Sequence, residues 1–197
     1  MSLSQMRYVR LLMVAGGLLA LTACISAPPP RYQPGIDNTQ TLLRAGHDTL
    51  SVGQFDAAPG VQNTKLSVRG STLTGGSDGT FASYLREALI LELKTAGRYS
   101  EHADASISGV LTDNRLDAAI KTGSADVAAR FAVSRNGTTV YDKTLSAHQT
   151  WDSSFMGAVA IPAAMRNYAT AVQKLLGDLF NDPDFAKAVG KSDTGGK

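Results

Sequence analysis

Few side chains in this sequence could carry chemistry. They are three histidines (His47, His102 and His148), the serine pair Ser153-Ser154, and a single cysteine, Cys24. Serine catalysis needs a nucleophile raised on a sharp strand-to-helix turn beside a base, and no G-x-S-x-G stretch surrounds either serine. Ser153 and Ser154 follow Trp151, with His148 close by in sequence. Without that turn they are expected to cap or turn the chain into the next helix. An envelope hydrolase using Ser153 or Ser154 with His148 therefore ranks third among the functions considered. Metal ligation fares no better. His102 and Asp104 are two residues apart and His148 and Asp152 four apart, with no H-E-x-x-H and no cysteine cluster, so exposed polar positions are expected. The glycine-rich run from Gly70 to Gly79 opens into a helix and could cradle an anion on free N–H groups. It lacks the Walker lysine, however, and Asp78 puts a negative charge where the anion would sit. A mobile surface loop is the expectation, because a nest requires aligned donors rather than glycines alone. Glu87, Glu92 and Glu101 read as helix surface and helix exit. No catalytic residue, cofactor or metal is assigned, and the chain reads as not an enzyme.

Cys24 belongs to a different pattern. Arg7 and Arg10 precede the ten apolar residues Leu11–Ala20, half of the roughly 20 that a membrane-crossing helix needs. Positive start, short apolar run and small-residue ending are the parts of an export signal, which takes no part in the fold. The closing Leu21-Thr22-Ala23-Cys24 resembles the lipobox of bacterial lipoproteins. That resemblance implies cleavage before Cys24, a diacylglycerol thioether on its sulfur, and an acyl chain such as palmitate on the freed amine. Each buried methylene contributes about 0.8 kcal/mol, so three chains together make the attachment effectively permanent. Ile25 rather than aspartate follows the cysteine, which by the same resemblance implies the outer membrane, with the protein facing the periplasm.

Cleavage removes Arg7 and Arg10 from 19 basic residues and none of the 17 acidic ones, so the mature chain is neutral. A neutral chain argues against nucleic-acid binding, which demands a basic face. With Cys24 acylated no disulfide is available, even in an oxidising compartment. Stability must come from a core alone, which a domain of about 150 residues can supply.

The elements follow from periodicity. Residues 24–46, with Ala27-Pro28-Pro29-Pro30 and Pro34-Gly35, favour extended polyproline geometry and read as a tether between the lipid and a single domain over 47–190. Within the domain, Leu50 and Val52, then Leu66 and Val68, mark two short strands. A helix runs from Thr80, a suitable N-cap, to Ala96 ahead of Gly97, with Phe81, Tyr84, Leu85, Ala88, Leu89 and Glu92 on one face. Ala103–Leu111 is a third strand, and residues 113–124 read equally as its extension or as a loop. Val127, Ala129, Phe131 and Val133 alternate along the fourth strand. Asn136-Gly137 supplies a type I′ turn into a fifth, which ends near Trp151. Pro162 suits the first turn of a second helix carrying Met165, Tyr168, Val172, Leu175, Leu176 and Leu179 on one stripe. A short last helix starts at Asp182-Pro183, and residues 191–197 form a frayed tail. This order predicts an α+β two-layer sandwich: a largely antiparallel sheet of about five strands with two main helices on one face.

The order of lipobox, spacer, strands, the Phe81–Ala96 helix, the Ala103–Trp151 strands and the helix before Asp182-Pro183-Asp184-Phe185 resembles the YajG-like family of Gram-negative outer-membrane lipoproteins. It is also similar to the auxiliary lipoproteins of envelope transport systems. Neither likeness supplies catalytic residues, and both imply an accessory or structural role. The leading expectation is a non-enzymatic outer-membrane lipoprotein whose periplasmic domain binds an envelope protein, with a second copy of the chain as another candidate partner. The runner-up is an accessory lipoprotein of a lipid or lipopolysaccharide transport system, which asks for an apolar groove between helices and sheet.

Overall fold

The computed structural model describes residues 26–27 and 31–190. In chain order its elements are β1 (Ser26–Ala27), α1 (Ile36–Arg44), β2 (Ser51–Ala57), β3 (Lys65–Val68), β4 (Ser71–Thr74), α2 (Phe81–Thr95), β5 (Ala105–Asp117), β6 (Lys121–Arg135), β7 (Thr138–Ser153), α3 (Gly157–Asn181) and α4 (Pro183–Val189). The main sheet has the order β2-β5-β6-β7, with β2 parallel to β5 and the other pairs antiparallel. On one face α2 lies over β2 and β5, and α3 over β6 and β7. The expected α+β sandwich is present.

Local chemistry accounts for the long meander. Ala125, Val127, Ala129, Phe131 and Val133 of β6 are buried while their neighbours point outward, so only one register puts the apolar set under the helices. Asn136 (φ 49°) and Gly137 (φ 78°) form the expected turn into β7. Gly123 faces Trp151, whose ring lies 2.3 Å from where a Cβ would stand, so the missing side chain makes room for the indole. Residues 113–117 extend β5 after a bulge at Thr112, which turns Asn114 inward. There Asn114 donates to the Gln62 carbonyl (2.6 Å) and accepts from the Tyr168 hydroxyl (2.9 Å). That pairing satisfies a buried amide in an otherwise apolar layer.

Three expectations need correction. The strand with Leu66 and Val68 is not in the main sheet. It pairs with β4 through a tight turn at Arg69 (φ 48°) and Gly70 (φ 82°), and β1 joins β4 on its other side. The start of the glycine-rich run is thus a strand, with Leu73 fully buried. The second helix begins at Gly157, so Pro162 falls beyond its first turn. Finally, the tether expected over 24–46 is folded onto the domain from Tyr32 onward: Tyr32, Asn38 and Leu42 are buried, and α1 packs on α3 and α2. Proline-rich composition sets backbone geometry without deciding whether the segment finds a partner. The export signal, Cys24 and the tail over 191–197 lie outside the described residues.

The stripe of α3 is core as expected, with Tyr168, Val172, Leu175, Leu176 and Leu179 at most 1% exposed. The neighbouring Lys174 is exposed and reaches the His148 carbonyl at 2.7 Å. Leu175→Ala should therefore destabilise by about 2–5 kcal/mol. Lys174→Ala should stay within about 0.5 kcal/mol. The two positions are adjacent, so helix propensity does not separate them, and urea titration of both variants measures the gap.

Candidate functional site

The serines and His148 do not meet. His148 stands on the outer face of β7, where its Nδ1 lies 2.7 Å from Asp126 of β6. Ser153 is five residues on, so strand alternation turns it to the opposite, helix-covered face, about 17 Å along the strand. There it is buried and its Oγ has no hydrogen-bond partner. Ser154 accepts from the Met156 amide at the entry to α3, the turning role expected of it. Among the described residues no three of His, Cys, Asp and Glu converge as a metal set, and His102 and Asp104 sit in the bend before β5.

The glycine loop is closed by its own hydrogen bonds. Gly76 N–H donates to the Thr80 carbonyl (2.7 Å) and Gly79 N–H to the Gly76 carbonyl (2.9 Å). Thr80 caps α2 by accepting from Ser83 N–H (3.1 Å). A Cβ on Gly75 would fall 2.0 Å from the Thr80 backbone, so only glycine allows this closure. The Glu87 carboxylate already holds the loop: its Oε1 accepts from Ser77 N–H (3.0 Å), the Ser77 hydroxyl and the Ser83 hydroxyl (3.0 Å). The donors an external anion would use are thus taken by the chain's own carbonyls and by the carboxylates of Asp78 and Glu87.

The most consequential group is one the sequence reading placed on the surface. Glu92 is fully buried in α2. Its Oε1 accepts from the Tyr32 hydroxyl (2.6 Å), the Asn38 amide (2.8 Å) and Gly35 N–H (3.1 Å), whereas Oε2 is buried with no partner. Asn38 also donates to the Gln173 carbonyl (3.1 Å) of α3, and Gln173 returns a bond to the Gln33 carbonyl (3.0 Å). Gly177 lets this happen, since a Cβ there would meet Asn38 at 2.8 Å. One signal was available in the sequence: Glu92 falls on the apolar stripe of its helix, where a carboxylate needs a specific partner. A second buried charge, Arg98, donates to the carbonyls of Asp48 (2.9 Å) and Leu42 (3.1 Å) and approaches that of Val189 (3.5 Å). It therefore ties the ends of α1 and α4 to the turn after α2, and its burial lowers its pKa.

These contacts build a groove. Arg31–Pro34 form one wall, Gly75–Ser77 the other, and Tyr84, Glu87, Leu91 and Thr95 of α2 the floor, enclosing about 650 Å³. Leu91 is 39% exposed on that floor.

Comparison with known proteins bears on the fold. The structure is similar to protein XCC0632 of Xanthomonas campestris, which carries the family model DUF330. The TM-score is 0.54 at 16% identity, over 79% of this chain and 95% of that one. At that identity the likeness establishes a shared fold. A Caulobacter crescentus protein described as a lipoprotein gives 0.44 at 18% identity, over 76% and 93% of the two chains. The minor lipoprotein of Acinetobacter baumannii gives 0.45 at 11%, over 75% and 97%. Both scores lie below 0.5, too low to carry an argument. No family model and no curated protein sequence matches the chain, so the YajG-like resemblance rests on the order of elements alone.

The Tyr32–Glu92 contact has a pH signature. Burial first, and then the Glu92 carboxylate, hold the Tyr32 hydroxyl far above the usual tyrosine range. Burial likewise raises Tyr84 and Tyr168, and takes Tyr141 up to about 12. Raised native pKa values mean that the folded chain keeps protons the unfolded chain loses above pH of about 10, so stability is intact below that pH and falls above it. Each such tyrosine adds about 1.4 kcal/mol per pH unit to the slope. Tyr32→Phe should destabilise near neutrality by about 1.5–3 kcal/mol, the worth of a hydrogen bond to a charged group. It should also make the alkaline slope shallower by one proton. Urea titrations on either side of pH 10 test both, and an unchanged slope would show that Tyr32 is not shielded.

Proposed function

We propose that this chain is a non-enzymatic lipoprotein of the outer membrane, anchored through acylated Cys24 and facing the periplasm. In this reading its groove receives a segment of an envelope protein. The groove walled by Arg31–Pro34 and Gly75–Ser77 carries the proposal. Its floor offers the exposed carbon of Leu91, and its walls are fixed by Glu92 and Glu87 rather than left to close on a ligand. Sites of this kind, apolar with a few placed polar groups, are the usual form of a binding cleft. The lipobox supplies the anchor, and the YajG-like order of elements agrees with an accessory envelope role. No helix among the described residues is long and apolar enough to cross a membrane.

The transport reading asks for an apolar groove between helices and sheet. Phe81, Leu89, Phe131 and Tyr168 fill that space, each at most 1% exposed, and give it no support. The hydrolase reading loses its geometry with Ser153 and His148 on opposite faces.

Two measurements test the proposal. Cys24→Ser should abolish incorporation of an acyl analogue in growing cells while the domain stays folded. Label persisting on that variant would end the lipoprotein reading. A photo-crosslinking residue at Leu91 should trap a discrete protein adduct in intact cells, and one at Thr138, on β7 at the opposite edge of the sheet from α2, should not. Equal capture at both positions would remove the groove from the proposal.

A further inference from the structure

We infer that the end of the domain formed by the β5–β6 turn and the β7–α3 junction is seated in the bilayer surface, so that the domain rests on the membrane instead of being held away from it. This rests on acylation of Cys24. Four large apolar side chains are exposed at that end: Phe155 (78%), Met156 (61%), Ile120 (58%) and Val159 (52%). They come from two separate stretches that Arg69 joins. Its Nε donates to the Ala118 carbonyl (2.6 Å) and its Nη1 to the Phe155 carbonyl (2.9 Å), so the β3–β4 turn holds both stretches in place.

The position of the chain start says what covers this patch. β1 runs parallel to β4 with Ser26 opposite Thr72, three residues from Arg69. In a parallel pair the residues before Ser26 enter from the Ser71 side, the side of the Arg69–Gly70 turn. Cys24 is only two residues before Ser26, and two extended residues reach about 7 Å. A lipid on Cys24 is therefore confined within that reach of Ser26, whose partner Thr72 is three residues from Arg69, at the end where Phe155 stands. The opposite end of β6, at Arg135, is about 47 Å away along the strand, and Thr138 lies across from it. A chain anchored at one end of so long a body, by so short a connection, meets the bilayer with that end. The anchor also supplies the effective concentration, so a patch too small to bind membranes alone can stay inserted. Exposed Phe, Met, Ile and Val suit the boundary between headgroups and acyl chains.

The full acylated chain tests this, because Cys24 is the only cysteine and its sulfur is blocked by lipid. A single introduced thiol can therefore carry an environment-sensitive fluorophore. Phe155→Cys and Ile120→Cys are compared with Thr138→Cys in vesicles of phosphatidylethanolamine and phosphatidylglycerol, with iodide as aqueous quencher and a headgroup spin-labelled lipid as membrane quencher. The expected result is a blue shift, loss of iodide quenching and gain of lipid quenching at 155 and 120, with none of these at 138. A chain that floats with the vesicles while its 155 and 120 probes stay open to iodide overturns the seating and leaves the anchor intact. Probes shielded from both quenchers overturn it in favour of a second copy on the patch. A chain whose mass shows no acyl addition and which does not float overturns the lipoprotein reading itself, and the seating with it.

Discussion

The placement of the segment from Tyr32 to Asn38 depends on one buried carboxylate. Removing Glu92 from water costs several kcal/mol before any partner is counted, and three donors converge on a single oxygen to offset it. All three come from a proline- and glycine-containing segment that places only Tyr32 and Leu42 in the core, with Ile36 and Leu43 left exposed. Leu42 is its one large aliphatic in the core. Hydrophobic burial alone would hold such a segment weakly, whereas an unpaired Glu92 would be heavily penalised, so docking the segment relieves the carboxylate. That asymmetry makes the contact specific, because a buried carboxylate left without donors is penalised far more than the donors are. From it follow the course of Arg31–Pro34, the first wall of the groove, and the position of α1 across α2 and α3.

Arg98 does the matching task at the other end of α1. It accepts no bond and donates to the carbonyls of Asp48, Leu42 and Val189, the last two near the C-terminal ends of helices where cations are favoured. Two buried charges of opposite sign, six residues apart on α2 and its exit, thus hold the N-terminal helix and draw in the C-terminal one. Neither charge takes the other as partner. Each is satisfied mainly by neutral dipoles of the chain segments it orders, an arrangement that ties distant segments together without a salt bridge.

Legibility in the sequence followed how local the cause was. The β6–β7 hairpin was readable because alternation and Asn136-Gly137 both act over neighbouring residues. The α2 N-cap at Thr80 and the α3 stripe were readable for the same reason. The β3–β4 turn was not, since an arginine in the left-handed region carries no signature; its stabilising contacts, to Ala118 and Phe155, are remote in the chain. Asn114 became core only through the bulge at Thr112, which shifts every later side chain of β5 to the other face. The polyproline run misled because extended geometry was equated with absence of contact, and Glu92 because charge was equated with exposure. Both errors concern the same interface, and each half would have exposed the other: a carboxylate on an apolar stripe requires donors, and the unassigned donors lay upstream in Tyr32 and Asn38.

That interface also sets what the N-terminus can do mechanically. A tether of 23 residues would let the domain sample many orientations above the membrane, and any groove on it would face every direction in turn. With Ser26–Ala27 in the small sheet and Tyr32 clamped to Glu92, one residue, Ile25, separates Cys24 from a paired strand, and orientational freedom is correspondingly small. On the lipoprotein reading the groove then opens at a defined height. β4 is about 10 Å long from its Ser71 end to the entry of Gly75, so the groove begins at most about that far above the anchored end and runs on along α2. A partner with a segment at that level meets the groove already aligned, and the orientational cost of association has been met within the fold by the contacts of Glu92.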